Sequence, residues 1–530
     1  MDEFEAILAR AKTAPLSEED REKLKTAIHT LFWLTGELER KHVSIARLQK
    51  LLFGSQSEKT SEVLETQSQA IPKESAVCAE EKKEPCPGHG RNGAAAYVGA
   101  TRIEVPHESL SSGNPCPECH KGKVYRDEPQ VLIRVTGQAP LQAAAYCRHA
   151  LRCNLCGKVF AAKLPEGVGE KKYDEKAAAM IGLLKYGTGL PFNRLEKLEG
   201  NLGIPLPAAT QFEIVEEAAH SLKPAYEELI REAAQGEVIH NDDTPMKILA
   251  LGIEKERQEI SGERIESERT GVFTSGIVSR SKGHQIALFF TGQKHAGENL
   301  TQVLKQRAAE LDPPIQMCDG LSRNVPEELE TILANCTAHG RRKFVDLVNV
   351  FPEECRYVLE SFKSVYQVDA RARAEKLSDE ERLRLHQVES GPVMTALEAW
   401  MKAKMENKEV EPNSPLGEAI EYLLKRWGPL TLFLRKPGAP LDNNICERAL
   451  KRAILHRKNA LFYKTENGAW VGDLFMSLIH TAELERVNPF DYLTELLRHP
   501  EEVRREPASW MPWNYRSTLA NLPHAPPPSP

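Results

Sequence analysis

No stretch of this chain approaches the run of about 18 apolar residues that a membrane-spanning helix needs, so a membrane span is not expected. Met1 to Arg10 is acidic and amphipathic, without the basic start and apolar core of a secretory signal, and a cytoplasmic protein is the expectation. An excess of positive charge is lacking as well. The formal net charge is −6, which excludes a globally basic coat for nucleic acid. Any binding to DNA has to come from local basic patches, because phosphate contacts dominate that affinity.

Cysteine, by contrast, is plentiful: 11 residues, a large number for a chain expected in the cytosol, where disulfides are rare. Seven of them (Cys78, Cys86, Cys116, Cys119, Cys147, Cys153 and Cys156) lie between positions 78 and 156. Such clustering points to metal. Cys116-Pro-Glu-Cys119 and Cys153-Asn-Leu-Cys156 are two CxxC knuckles, each placing two thiolates about one tetrahedral edge apart. Together Cys116, Cys119, Cys153 and Cys156 are expected to form a closed, structural Zn²⁺ site, the alternative being reduced thiols in a core. Val131–Val135 and Gln142–Tyr146 read as strands of a ribbon between them. Cys86 with His89, and Cys147 with His149, are weaker candidates for further ligands.

Eight stretches follow from pattern. Residues 1–59 are helical: Leu24, Leu31, Leu38, Ile45 and Leu52 recur every seven residues, while the alternate seam holds Ile28, Thr35, His42 and Gln49. A weak coiled coil, a helical hairpin and a single amphipathic helix all fit. Residues 60–110, rich in Ser, Glu, Lys, Gln and Ala without apolar periodicity, read as a linker. The zinc module takes 111–160, and 161–236 is a helical, DNA-binding or connecting region. Strands and helices alternate over 237–350, the first part of an α/β core. A helical insertion follows over 351–437, with a weak return of strand at Leu430–Leu434. The second part of the core is 438–482, and 483–530 is a C-terminal helix with a Pro-rich tail.

The acids carry the chemistry. Asp242 and Asp319 each follow a short apolar strand, at the sheet edge where α/β folds place ligands. Glu447 lies in a helix opened by Asp442-Asn443-Asn444, with Leu450 and Ile454 on the same face. Three such acids can converge on paired Mg²⁺ ions. Taken singly, an Asp in such a place is more often a turn residue or a cap. Arg341-Arg342-Lys343, and Arg448, Lys451, Arg452, Arg457 and Lys458, form basic patches beside two of the acids, placed for phosphate or for solvent. Cys336-x-x-His339 has the spacing of a metal half-site, but with no second half in the sequence a structural or DNA-positioning role is the expectation.

An ordered set of short stretches then gives a resemblance. It begins with Leu52-Phe53-Gly54, Ser57-Glu58-Lys59 and the two knuckles, and continues with Leu190-Pro191-Phe192-Asn193-Arg194 and Asp242-Asp243-Thr244-Pro245. Asp319-Gly320 and Cys336-Thr-Ala-His339-Gly-Arg341-Arg342-Lys343-Phe344 follow. Asp442-Asn443-Asn444-x-x-Glu447-Arg448-Ala449-Leu450 and Arg457-Lys458-Asn459 with Leu461-Phe462 close it. Over nearly its whole length the chain resembles the insertion-sequence-66 family of transposases. That resemblance implies an RNase-H-like α/β core interrupted by a helical insertion, with Asp242, Asp319 and Glu447 as an Asp-Asp-Glu triad holding two Mg²⁺ (or Mn²⁺) ions. It implies an enzyme that cuts and joins double-stranded DNA, element ends and target alike, acting as a homo-oligomer beside small companion proteins. Two positions depart from the family. Asp242-Asp243 stands where Asp-Glu is usual, which leaves two candidates for the first ligand, Asp242 being favoured. Leu321-Ser322-Arg323 follows Asp319-Gly320 where an aromatic is usual.

Overall fold

The computed structural model describes residues 109–125, 139–152, 159–165, 171–252 and 271–522, together with Arg21. The heptad segment, most of the linker, Cys153, Cys156 and the Pro-rich tail lie outside the described residues. Among those described, no helix is long and apolar enough to cross a membrane.

In the cysteine-rich segment, β1 (Ala150–Arg152) pairs antiparallel with β2 (Val159–Ala161). The strand expected at Gln142–Tyr146 is irregular backbone instead; its run of Ala and Gln offers no β-branched side chain to favour pairing.

Beyond it, α1 (Glu175–Gly182), α2 (Phe192–Asn201) and the 27-residue α3 (Ala208–Ala234) precede one five-stranded mixed sheet. Its strands are β3 (Val238–Met246), β4 (Val272–Ser281), β5 (His284–Gly292), β6 (Ile315–Cys318) and β7 (Ile332–Asn335), in the order β5-β4-β3-β6-β7. The first three form an antiparallel meander, and β6 and β7 add parallel to β3 through α4 (Ala296–Leu304). The expected α/β core is therefore present. Adjacent residues Val238 and Ile239 enter different hydrophobic clusters, because successive strand residues face opposite sides. On the Ile239 side, Ser279 Oγ donates to Ala233 O at the end of α3 (2.7 Å).

After β7 come α5 (Thr337–Leu347) and the insertion: α6 (Pro352–Ala374), α7 (Asp379–Leu385), α8 (Gly391–Glu406), α9 (Pro415–Lys425) and the short α10 (Trp427–Leu430). The strand expected at Leu430–Leu434 is the end of α10 and a 3₁₀ turn, Leu432–Leu434. A short apolar run reads equally as strand or buried helix, and here Leu430 and Phe433 fill the insertion core. That core is continuous with Val238, Met317 and Ala334 of the sheet. Beside it Asp369, 7% exposed, holds Arg382 (2.7 Å), Arg373 (3.0 Å) and His386 (3.3 Å). Burial works to raise this carboxyl, yet His386 and the two guanidinium groups bring it down to about 2.

The chain returns to the sheet with α11 (Asn444–Ala460) and α12 (Glu466–Leu484). The second of these reads as amphipathic in sequence but is buried nearly all round. Its polar side chains meet the edge strand. Asp473, Ser477, Thr481 and Glu485 accept from the backbone N–H groups of Thr291 (2.6 Å), Phe289 (3.0 Å), Ala287 (3.1 Å) and Gln285 (2.8 Å). Four helical residues rise about 6 Å and two strand residues about 6.8 Å, so a polar side chain at every fourth position follows every second N–H. The edge strand is thereby closed to further pairing. Finally α13 (Pro489–Arg498), α14 (Pro500–Arg505), a 3₁₀ turn (Pro507–Trp510) and α15 (Tyr515–Ala520) follow, burying Tyr492, Trp510 and Tyr515 in the same core as α3.

Candidate active site

The parallel register of β3 and β6 sets the geometry. Val238 lies opposite Ile315, Ile239 opposite Gln316 and His240 opposite Met317. Carried two residues further, it brings Asp242 level with Asp319 on one face. Asp242 is not beyond its strand, as the sequence suggested; β3 runs on to Met246 against β4 while β6 ends at Cys318. Past that point the neighbouring strand is gone, and the two carboxylates flank the opening. Asn324, fully buried, bridges them: its Nδ2 donates to Asp319 Oδ1 (2.8 Å) and reaches Asp242 Oδ1 at 3.4 Å. The Asn324 backbone carbonyl in turn accepts from Asn241 Nδ2 (2.6 Å) and Gln316 Nε2 (2.7 Å). No motif in the sequence marks Asn324.

The third acid arrives on α11. The junction before it is pinned by Asn443, whose Nδ2 donates to Asn241 O (3.1 Å) and whose backbone N–H donates to Cys336 Sγ (3.2 Å). Asn443 Oδ1 pairs with His240 Nδ1 at 3.1 Å. Burial pushes His240 down to about 4, so a neutral imidazole donates that bond. Gly276, paired with Asp242 across β3 and β4, lets the helix settle: a Cβ there would stand 2.9 Å from Leu450. The buried ridge of α11 is Cys446, Ala449, Leu450 and Ala453, with Ile454 half-buried and Glu447 on its border, 28% exposed. Glu447 Oε1 is buried and finds no hydrogen-bond partner among the described residues.

Electrostatics ties the three together. Asp242 is pushed up to about 7, first by burial and then by the charges of Asp319, Asp243 and Glu447, against the lowering effect of the Asp243 N–H. Asp243 faces the other way, as the alternation of a strand requires. Its side chain is 1% exposed and is held by His295 (2.8 Å) and Arg323 (3.2 Å). That leaves Asp242 to face Asp319 and gives Arg323 a place behind the site. Asp242 and Asp319, bridged by Asn324, offer oxygen donors of the kind that hard divalent cations take.

The insertion reaches the same spot, which the sequence did not indicate. Tyr422 Oη donates to Asp319 O (3.0 Å) and Arg426 Nη2 to Gly320 O (3.3 Å). Gly320 has φ +82°, and a Cβ on it would lie 2.9 Å from Arg426 Nε. The Tyr422 ring carries Lys343 on α5 at 4.6 Å and Arg426 at 4.3 Å. A tyrosine and an arginine four apart on a helix are too common to have been noticed.

The basic candidates divide. Arg452 is drawn inward to Glu483 and to Gly187 O (3.2 Å), and Arg457 to Thr244 Oγ1 (3.2 Å) and Pro245 O. These two fasten α11 to its surroundings. Lys343, Arg448, Lys451 and Lys458 are exposed, whereas Arg341 and Arg342 are half-buried on α5. Arg448 also lines a cleft of about 700 Å³ between α11 and the insertion, together with Lys376, Arg280 and Asp442.

Far along the chain, the first knuckle has the form a thiolate pair needs. Cys119 Sγ accepts from Gly122 N–H (3.4 Å), Cys116 N–H donates to Gly122 O (2.8 Å), and His120 takes φ 56° to close the turn. The backbone N–H groups of Gly122 and Lys121 hold the Cys119 thiol below its ordinary value.

Similarity to known proteins places these features in a family. Uncharacterized proteins y4jD and y4qI of Sinorhizobium fredii (strain NBRC 101917 / NGR234) are 26% and 25% identical to the chain, each over 64% of it. The matches span 66% and 62% of those relatives, somewhat less than two thirds of their length. Residues 171–470, which hold the sheet, the insertion and all three acids, match the model of the transposase IS66 family. The chain belongs to the IS66 family of transposases.

Proposed function

We propose that this transposase cuts the ends of a mobile DNA element and joins the freed 3′-hydroxyls to target DNA, with Asp242, Asp319 and Glu447 as its catalytic acids. The observation that carries this reading is the register: Asp242 and Asp319 fall level on neighbouring parallel strands, and the charge of Glu447 on α11 acts on Asp242. A mixed sheet of three antiparallel and two parallel strands, with the third acid on a later helix, fits an RNase-H-like core.

Asp242 and Asp319 would hold a divalent cation between them, Mg²⁺ or Mn²⁺, and Glu447 would complete a second position. Bound there, such ions supply Lewis-acid activation of the attacking oxygen and stabilise the leaving one. The chain's own residues do the rest. Asn324 keeps the two aspartates at a fixed spacing through its amide. Tyr422 and Arg426 hold the Asp319–Gly320 backbone. Lys343, Arg448, Lys451 and Lys458 are placed to meet phosphates. A structural Zn²⁺ on Cys116, Cys119, Cys153 and Cys156 would hold the ribbon that precedes the core. The partners are double-stranded DNA, a second copy of the chain and accessory proteins of the same element, in the cytoplasm.

The test is Glu447→Gln, assayed on DNA bearing the element's ends with Mg²⁺ present. Cleavage should fall by on the order of 10³-fold, as when a group stabilising transition-state charge is removed, while end binding persists. Undiminished cleavage would refute the assignment. Products cut but never joined would leave a nuclease of the same fold.

A further inference from the structure

Cys336 and His339 begin α5, three residues apart, and α11 brings Glu447 against them. Cys336 Sγ, one ring nitrogen of His339 and a Glu447 carboxylate oxygen all lie within 4.8 Å of one another. His339 Nε2 stands 3.8 Å from Glu447 Oε1, too far for a hydrogen bond. His339 Nδ1 and Glu447 Oε1 are both buried without a hydrogen-bond partner among the described residues. Buried polar atoms are normally paired, so an orphan on each of two adjacent side chains beside a thiol calls for an explanation.

The thiol is built like a ligand. Cys336 is fully buried and its Sγ accepts the Asn443 N–H at 3.2 Å, as Cys119 Sγ accepts the Gly122 N–H in the knuckle. In a tetrahedral site with the bond lengths usual for zinc, ligand atoms stand roughly 3.3–3.8 Å apart. The 3.8 Å between His339 Nε2 and Glu447 Oε1 stands at the upper end of that range, and rotation of these two partly exposed side chains can draw their donors onto a shared ion.

We propose that Cys336, His339 and Glu447 form a three-donor site for a borderline divalent ion of the Zn²⁺ or Co²⁺ class, separate from the Asp242–Asp319 pair. Sulfur and nitrogen donors favour such ions over Mg²⁺, and three protein ligands leave one position open. The site rests on the proposed function only through Glu447, which it shares with the carboxylate cluster.

The test is titration of the full chain with Co²⁺ in millimolar Mg²⁺, read by thiolate-to-cobalt charge-transfer absorption. To separate the knuckle's signal, the titration is repeated on a variant with Cys116→Ser and Cys119→Ser. In that background a charge-transfer band should persist, and adding Cys336→Ser should remove it. His339→Ala should weaken Co²⁺ binding at least ten-fold. Serine keeps an acceptor for the Asn443 N–H, but should Cys336→Ser not fold, His339→Ala decides alone. An affinity unchanged by His339→Ala, or a band unchanged by Cys336→Ser, overturns the site. Asp242→Asn separates the two readings: it should abolish DNA cleavage and leave the cobalt band intact. Cleavage that survives Asp242→Asn counts against the catalytic assignment alone.

Discussion

Asp242 and Asp473 are both aspartates that burial pushes up to about 7, yet they sit in regions built on opposite terms. In the seam between α12 and β5, Asp473 is surrounded by donors: Thr291 gives it a backbone N–H (2.6 Å) and a hydroxyl (2.7 Å), and these bonds hold its pKa down against desolvation. Around Asp242 the neighbours are acids. Asp319, Asp243 and Glu447 push its pKa the same way as burial does, and among the described residues its side chain has only its own neighbour's N–H (2.8 Å) and the long Asn324 contact. A perturbed carboxyl is thus no mark of chemistry by itself. What its neighbours still lack is the better guide, and at Asp242 that is positive charge.

The sharpest way to break this comparison is to neutralise each acid in turn. Asp242→Asn should lower Mg²⁺-dependent cleavage of end DNA by on the order of 10³-fold. It should raise thermal stability in metal-free buffer, since a crowded buried charge is gone. Asp473→Asn should leave cleavage within a few-fold of wild type. Equal losses in the two variants would show that the seam, too, reaches the reacting groups.

Next in size is the response to pH. A carboxyl whose folded pKa is raised contributes stability that is fully present below its ordinary value of 3.8 and is lost as pH rises through about 7. Asp473 therefore costs the fold on the order of 1.4 kcal/mol per pH unit across that window. Urea denaturation at several pH values should show the downward slope between about 4 and 7 reduced in Asp473→Asn. It should be reduced rather than abolished, because Asp242 titrates over the same range. A slope untouched by Asp473→Asn would mean that the seam carboxyl is already ionised in acid.

The seam and the acid cluster also differ in how far the sequence disclosed them. Asp242, Asp319 and Glu447 were legible because each belongs to a short ordered stretch, and the apolar runs before two of them announce strands. Which of Asp242 and Asp243 faces the site was not legible from motif alone. It follows once β3 is known to pair with β6, since alternation then turns Asp243 toward His295 and Arg323. The polar residues of α12 were hidden for a physical reason. An apolar helix with Asp473, Ser477 and Thr481 on one stripe reads as amphipathic, whereas that stripe faces the unpaired N–H groups of a strand nearly two hundred residues earlier in the chain. Asn324 and Tyr422 escaped because contacts across such separations leave no local pattern.

A smaller effect is expected where the cluster depends on packing. Gly276→Ala would set a methyl 2.9 Å from Leu450 Cγ and Cδ2 and press α11 away from the sheet, at about 1–3 kcal/mol for overpacking. Glu447 lies less than one turn before Leu450, so cleavage should fall by about ten-fold, a loss of 1.4 kcal/mol in transition-state stabilisation. Leu450→Val, added to Gly276→Ala, removes about the volume the methyl brings and should recover most of it. Failure of that pair to recover would assign the loss to strain in β4 itself.

The least expected change tests whether the insertion belongs with the acids or with the scaffold. Tyr422→Phe keeps the ring between Lys343 and Arg426 and deletes only the hydroxyl that donates to Asp319 O. Asp319 is itself half-buried, so water can take over its carbonyl and no buried group is stranded. A hydrogen bond of this kind is worth about 0.5–1.5 kcal/mol, a factor of roughly two to ten in rate if it all falls on the transition state. Because the phenol acts through the backbone of Asp319, the loss should appear at saturating DNA, with the Mg²⁺ requirement shifted to higher concentration. A loss as deep as that of Asp242→Asn would place the hydroxyl against the reacting atoms, and the insertion would then be part of the chemistry rather than its support.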